Sequence, residues 1–210
     1  MSDVVTLVEK GKRQTKIVIN DSCTLYLSRA LTRERPLAEG DPVELSELRQ
    51  WLQPRQYGEA LNAAVRLLAT RARSRSELAT RLQGMRFDDE TIDMALYKLE
   101  KENLLDDADF ARQWASYRMS QGIGKSRILR ELAQKGVEAE TAEAACATSD
   151  EESAREAAQS VARKLLKRYE GKAEREAVEK TLGGLVRRGY GYSDAKRAIS
   201  DALQAMRDEA

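Results

Sequence analysis

The sequence predicts a mainly α protein: an elongated array of three tandem three-helix units, with a small N-terminal antiparallel β segment. Three observations carry this. The first is an internal repeat: Leu82/Arg86/Phe87 recurs as Leu132/Gly136/Val137 and Leu185/Gly189/Tyr190, at shifts of 50 and then 53 residues. Each copy is followed at the same offsets by Ile92 and Leu96, Ala142 and Cys146, or Ala195 and Ile199. A period of this size marks stacked supersecondary units that bury their apolar faces only against neighbours. The second is composition. Helix formers (Ala, Leu, Glu, Lys, Arg) dominate after about residue 55, charged residues make up 34% of the 210-residue chain, and aromatics only 5%, so each unit has a thin core. The third is that residues 1 to about 50 differ in kind, being rich in short β-branched and aromatic runs.

Those runs, Val4–Val8, Thr15–Ile19 and Cys23–Leu27, are separated by Gly11 and by Asn20-Asp21-Ser22 and predict a three-stranded meander. So small a sheet needs an apolar cover, which the Glu44–Trp51 segment offers through Leu45, Leu48, Trp51 and Leu52 at helical spacing, with Pro54 as punctuation. The expected divisions are therefore 1–53 for the β-rich extension and 54–103, 104–148 and 149–210 for the three units. In the first unit Leu61, Ala64, Val65 and Leu68 form a stripe on one helix. Ser74-x-x-Glu77 is a capping box for the next, with Leu78, Leu82 and Met85 inward, and Asp88 caps a third carrying Ile92, Ala95, Leu96 and Leu99. In the second, Phe110, Trp114 and Tyr117 share a face as packing residues, Ile128 and Leu132 point in, and Gly136 sits where a left-handed residue ends the helix. The third opens with a capping box at Ser149–Glu152 and a helix with Ala154, Ala158, Val161, Leu165 and Tyr169 along one side, ended by Gly171. Gly183-Gly184 inside its second helix costs about 1 kcal/mol per glycine relative to alanine, which a close backbone approach would explain.

Several chemistries are disfavoured. The chain has no histidine, which removes the Ser-His-Asp triad, the Cys-His pair and His-ligated zinc. Cys23 and Cys146 lie far apart, outside any metal-ligand spacing, and read as reduced, buried thiols. Asp106, Asp107 and Asp109 are the nearest approach to a paired-carboxylate or metal site. The stronger reading makes Asp106 or Asp107 an N-cap and places Asp109 in a first turn, complementing the helix dipole. No enzyme activity, cofactor or metal is expected. The N-terminus lacks the order of a signal peptide and no apolar run suffices to span a membrane, so a cytoplasmic protein is expected.

Charge order says more than any single residue. Between Arg66 and Arg86 six arginines face one acid, and between Asp88 and Phe110 nine acids face two lysines. The alternation repeats, with six basic residues and one acid over 111–137, then seven acids and one arginine over 138–156. A net charge of +1 thus conceals bands of opposite sign. Such bands suit a polyanion or an alternately charged partner, or else are solvated faces matched to helix ends. The candidate contacts are Arg73, Arg75, Arg81 and Arg86 in the first unit and Lys125, Arg127, Arg130 and Lys135 in the second. Few Asn, Gln or Ser residues lie on these second helices, which argues against sequence-specific base readout.

The run Ser74-x-x-Glu77-Leu78-x-x-Arg81-Leu82, then Phe87, Ile92, Leu96 and Leu99, then Leu104-Leu105-Asp106-Asp107-x-x-Phe110-Ala111-x-x-Trp114-x-x-x-Arg118, resembles the RecX family of bacterial recombination regulators. Leu104, Leu105, Asp106, Asp107, Phe110, Ala111 and Trp114 form the most specific block, read as mainly structural. The resemblance covers about residues 57–205, and the β-rich segment looks like an extension that some members carry. It implies a non-enzymatic modulator that lodges in the groove of the RecA–DNA filament and inhibits strand exchange, ATP hydrolysis and coprotease activity. DNA repair and the SOS response would thereby be regulated. The competing reading is a nonspecific protein acting on recombination through weak contacts with single- or double-stranded DNA. Two departures stand out: Arg86 replaces the family's usual glycine, and Thr181 occupies the place of Leu78 and Ile128.

Overall fold

The computed structural model describes residues 3–147 and 151–209. Strands β1 (Asp3–Lys10), β2 (Gln14–Ile19) and β3 (Cys23–Ser28) are followed by α1 (Arg29–Glu34), β4 (Pro42–Val43) and α2 (Leu45–Thr70). Then come α3 (Arg75–Gly84), α4 (Asp89–Lys101), α5 (Asp107–Ser120), α6 (Lys125–Gln134), α7 (Ala139–Ala147), α8 (Glu151–Arg168), α9 (Glu174–Arg187) and α10 (Tyr192–Asp208). The chain is mainly helical, with a small antiparallel sheet at its start. It divides into two compact units, Met1–Ala72 with Leu78–Leu105, and Arg73–Glu77 with Asp106–Ala210.

In the first unit the sheet has the order β3-β2-β1-β4, so the meander gains a short fourth strand. β1 carries a bulge between Val5 and Leu7. The extra residue shifts the alternation, so Val5 and Val8 both reach the core while Leu7 stays exposed. Ile17, Ile19 and Leu27 meet Leu48 and Leu52 of α2, the expected helical cover. Pro54 does not end that helix. α2 runs through it to Thr70, because the carbonyl deprived of its partner belongs to solvent-exposed Gln50. The second half of α2 turns Ala60, Ala63 and Ala64 inward and leaves Val65 exposed, a rotation from the expected stripe. Ile92, Ala95, Leu96 and Leu99 of α4 are all buried, as are Leu78 and Leu82, whereas Met85 is exposed.

In the second unit Phe110, Ala111, Ile128, Leu132, Ala142 and Cys146 form one core, and Ala158, Ala162, Leu166, Leu185, Ala195 and Ile199 another. Thr181 is fully buried, as Leu78 and Ile128 are at the equivalent places. Val161 and Leu165 of α8 and Tyr169 just past its end are half-buried, while Ala154 is exposed. The capping box expected at Ser149–Glu152 falls largely outside the described residues.

Glycines at 124 and 189 supply the close backbone approach expected at 183–184. A Cβ on Gly124 would lie 2.3 Å from the Gly189 carbonyl carbon, and Gly124 N–H donates to the Arg188 carbonyl at 2.9 Å. Gly184 instead makes room for the Leu165 side chain, and Gly183 meets only Arg187 of its own helix.

Candidate functional site

The repeated Leu-x-x-x-(Gly/Arg)-apolar element is a helix terminator. Phe87, Val137 and Tyr190 N–H groups donate back to the carbonyls of Leu82, Leu132 and Leu185, and the intervening Arg86, Gly136 and Gly189 have φ of 64°, 73° and 93°. This is the closure in which a left-handed residue satisfies the last carbonyls of a helix. Arg86 adopts it despite its Cβ. Its guanidinium lies over the Tyr26 ring at 5.4 Å, and the neighbouring Met85 carbonyl accepts from Gln14 Nε2 at 2.6 Å, so contacts with the N-terminal sheet offset the backbone cost.

Within the Leu104–Trp114 block Leu104 is exposed. Leu105 is buried, and Asp106 accepts from the Ala108 and Asp109 N–H groups as N-cap of α5. Asp107 reaches the Arg75 N–H at 2.8 Å and so satisfies a donor at the start of α3. Phe110 and Ala111 are buried, and Trp114 stacks on Phe110 with centroids 6.2 Å apart. Asp109 holds Arg112 and Gln113. Each carboxylate of the acidic run thus has a local task, and among the described residues no cluster of His, Cys, Asp or Glu could hold a metal ion. Tyr117 was expected to pack, but it is 57% exposed, because the α5 core face turns toward Ala111 and Ala115.

Around Trp114 lies a half-buried ionic network that sequence did not foreshadow, since its members are up to 58 positions apart. Glu131 receives Arg118 through two bonds of 2.7 Å, Arg127 at 3.2 Å and the Trp114 indole N–H at 3.3 Å. The hydrogen bond from Arg118 is the main reason that the Glu131 carboxyl is held below its ordinary value, against the opposing effect of burial. Lys135 donates to Glu77 at 2.9 Å and places its ammonium 4.2 Å from the Trp114 ring centroid. The Ser74 hydroxyl accepts from Glu77 N–H, as the capping box requires, and donates to the Lys135 carbonyl.

The candidate basic residues therefore separate. Lys135 is half-buried in that network, and Arg73 and Arg75 are half-buried with interactions of their own. Arg81, Arg86, Lys125, Arg127 and Arg130 are exposed. Of these, Lys125 pairs with Glu143 at 2.8 Å and Arg127 with Glu131, while among the described residues Arg130 makes only a bond to the Ser126 carbonyl. Neither cysteine is in a disulfide; Cys146 is buried, which pushes its thiol up, whereas Cys23 is half-buried rather than fully enclosed.

The models of the first, second and third three-helix domains of RecX match residues 60–99, 106–145 and 151–199. The regulatory protein RecX of Mycolicibacterium smegmatis is 34% identical over 184 residues, spanning 85% of this chain and 98% of the relative. The chain belongs to the RecX family. The regulatory protein RecX of Streptococcus gordonii is 30% identical over 92% of this chain and 75% of its own length. A crystal structure of a regulatory protein RecX shares the fold over 95% of this chain at a TM-score of 0.67 and 21% identity. That of RecX from Lactobacillus salivarius covers 72% at a TM-score of 0.68 and 23% identity. The three RecX domains coincide with the three copies of the helix terminator, which accounts for the 50- and 53-residue shifts. Among the described residues of this RecX-family chain, no helix is long and apolar enough to cross a membrane.

Proposed function

We propose that this chain regulates the RecA recombinase by binding in the groove of the RecA–DNA filament, without catalysing a reaction of its own. Strand exchange, DNA-stimulated ATP hydrolysis and coprotease activity are suppressed, and through them DNA repair and the SOS response. The observation that carries this reading is the alignment with a regulatory protein RecX over 98% of the relative's length. Exposed Arg127 and Arg130 on α6, with Arg81 on α3, support it by offering cations to the carboxylates and phosphates that a nucleoprotein groove presents. Weak contacts of this kind sum when several are made at once.

The test is RecA ATPase on single-stranded DNA in nucleotide excess, titrated with the chain. Inhibition at a small fraction of one chain per RecA subunit is the expected result. Inhibition that appears only when the chain approaches saturation of the DNA would favour the competing reading, a protein that acts by covering DNA. No inhibition at any ratio would overturn both.

A further inference from the structure

The second unit holds a groove of about 290 Å³ where the end of α5, the middle of α8 and the end of α9 converge. Ser120, Gln121, Ser160, Lys164 and Arg188 give it its polar lining, and Gly122 and Val161 its floor. Arg188 is only half-exposed, yet among the described residues no side chain or carbonyl accepts a hydrogen bond from its guanidinium, and none pairs with the Lys164 ammonium. A guanidinium offers five donors in a fixed fork that matches phosphate or carboxylate oxygens. Leaving it half-buried without an acceptor is unfavourable unless something else supplies one.

The helix ends nearby do not fill that role. Gln121, Gly122 and Ile123 N–H groups already bond to the Tyr117, Met119 and Arg118 carbonyls that close α5. Arg188, Gly189 and Tyr190 N–H groups do the same for Leu185, Val186 and Leu185 of α9. Nor do acids face the groove: Ala157–Arg168 contains Arg163, Lys164, Lys167 and Arg168 and no Asp or Glu, and Val186–Tyr190 contains Arg187 and Arg188 and none. One turn before Ser120 and Gln121, on the same face of α5, stands Tyr117, 57% exposed and without a packing role. Cations in a groove beside an exposed ring form the pairing that single-stranded nucleic acid uses, with phosphates on the cations and a base on the ring.

We propose that this groove, at the joint of the second and third repeats, is a binding site for the phosphodiester backbone of single-stranded DNA. Arg188 and Lys164 hold the phosphate, the Ser160 hydroxyl assists, and Tyr117 stacks an adjacent base. The site is distinct from the α6 residues and needs no RecA, so it can fail while the filament reading stands, and the reverse.

Fluorescence anisotropy of a labelled oligothymidylate of about fifteen nucleotides, within the usual range of single-strand site sizes, titrated with the full chain over a range of salt, tests it. The double variant Lys164→Gln/Arg188→Gln should bind about tenfold more weakly, with a salt slope smaller by about 0.7, the share of the one phosphate that the two cations hold together. Tyr117→Ala should bind several-fold more weakly and Tyr117→Phe should match the parent. Ser160→Glu, a change on an exposed helical position, should weaken binding as the double variant does, and it keeps the test valid if loss of Arg188 disturbs folding. Parental affinity and slope in both the double variant and Ser160→Glu would overturn the proposal. Unchanged DNA binding with weakened RecA binding would overturn it too, by showing that the groove takes a protein carboxylate.

Discussion

Among the described residues nothing partners the buried Thr181 hydroxyl, in a position that holds Leu78 and Ile128 in the other two copies. An unsatisfied buried hydroxyl costs about 1–3 kcal/mol. Thr181→Val keeps the shape and removes that cost, so it should stabilise the chain by about 1 kcal/mol and raise the melting temperature; a lower melting temperature would mean that the hydroxyl has a partner. Glu131 behaves in the opposite sense. Its carboxyl lies below its ordinary 4.5 in the folded chain, chiefly through Arg118, so its ionic contribution is complete above that value and lost as pH falls through the depressed one. Urea midpoints of the parent and of Glu131→Gln should therefore differ most near neutrality and converge as pH drops below about 4.5. A difference that stays constant into the acid range would show that Glu131 is held by packing alone.

Among elements, the helix terminators were legible because their chemistry is local: a leucine, a left-handed residue and an apolar residue at fixed spacing dictate both the closure and the repeat. Strands β1 to β3 were legible for the same reason. What sequence could not supply was rotation and partnership. Pro54 reads as a break, yet it is tolerated where the orphaned carbonyl meets solvent; Tyr117 and Met85 sit at helical spacing with core residues but fall past the edge of the buried face. Lys135 reads as one more surface cation, and its commitment to Glu77 and Trp114 depends on long-range contacts. The Gly124–Gly189 contact is likewise invisible before folding. A methyl group on Gly124 has only backbone atoms to push against, at 2.3–2.4 Å, so Gly124→Ala should destabilise the second unit by about 2–3 kcal/mol. Gly171→Ala, with nothing within 4 Å of the added Cβ, suffers only from its φ of 91° and should cost less. Melting curves of the two variants rank them, and equal losses would remove the backbone approach as the cause.

At the scale of the whole molecule, the three RecX domains and the alternation of charge were legible in the sequence, because both are properties of order along the chain. Which cations remain at the surface is set by folding: on α6 these are Lys125, Arg127 and Arg130, and the proposed contact is tested at Arg127 and Arg130. Reversing both to Glu should leave helical content unchanged, although Arg127 is lost as one of three donors to Glu131. The most direct measurement is RecA ATPase on single-stranded DNA with parent and Arg127→Glu/Arg130→Glu chains, compared across salt concentrations. The account predicts strong suppression by the parent and weak suppression by the variant, with the gap narrowing as salt screens the charges. Equal suppression by both chains at every salt concentration would contradict it and reduce the α6 cations to a solvated face.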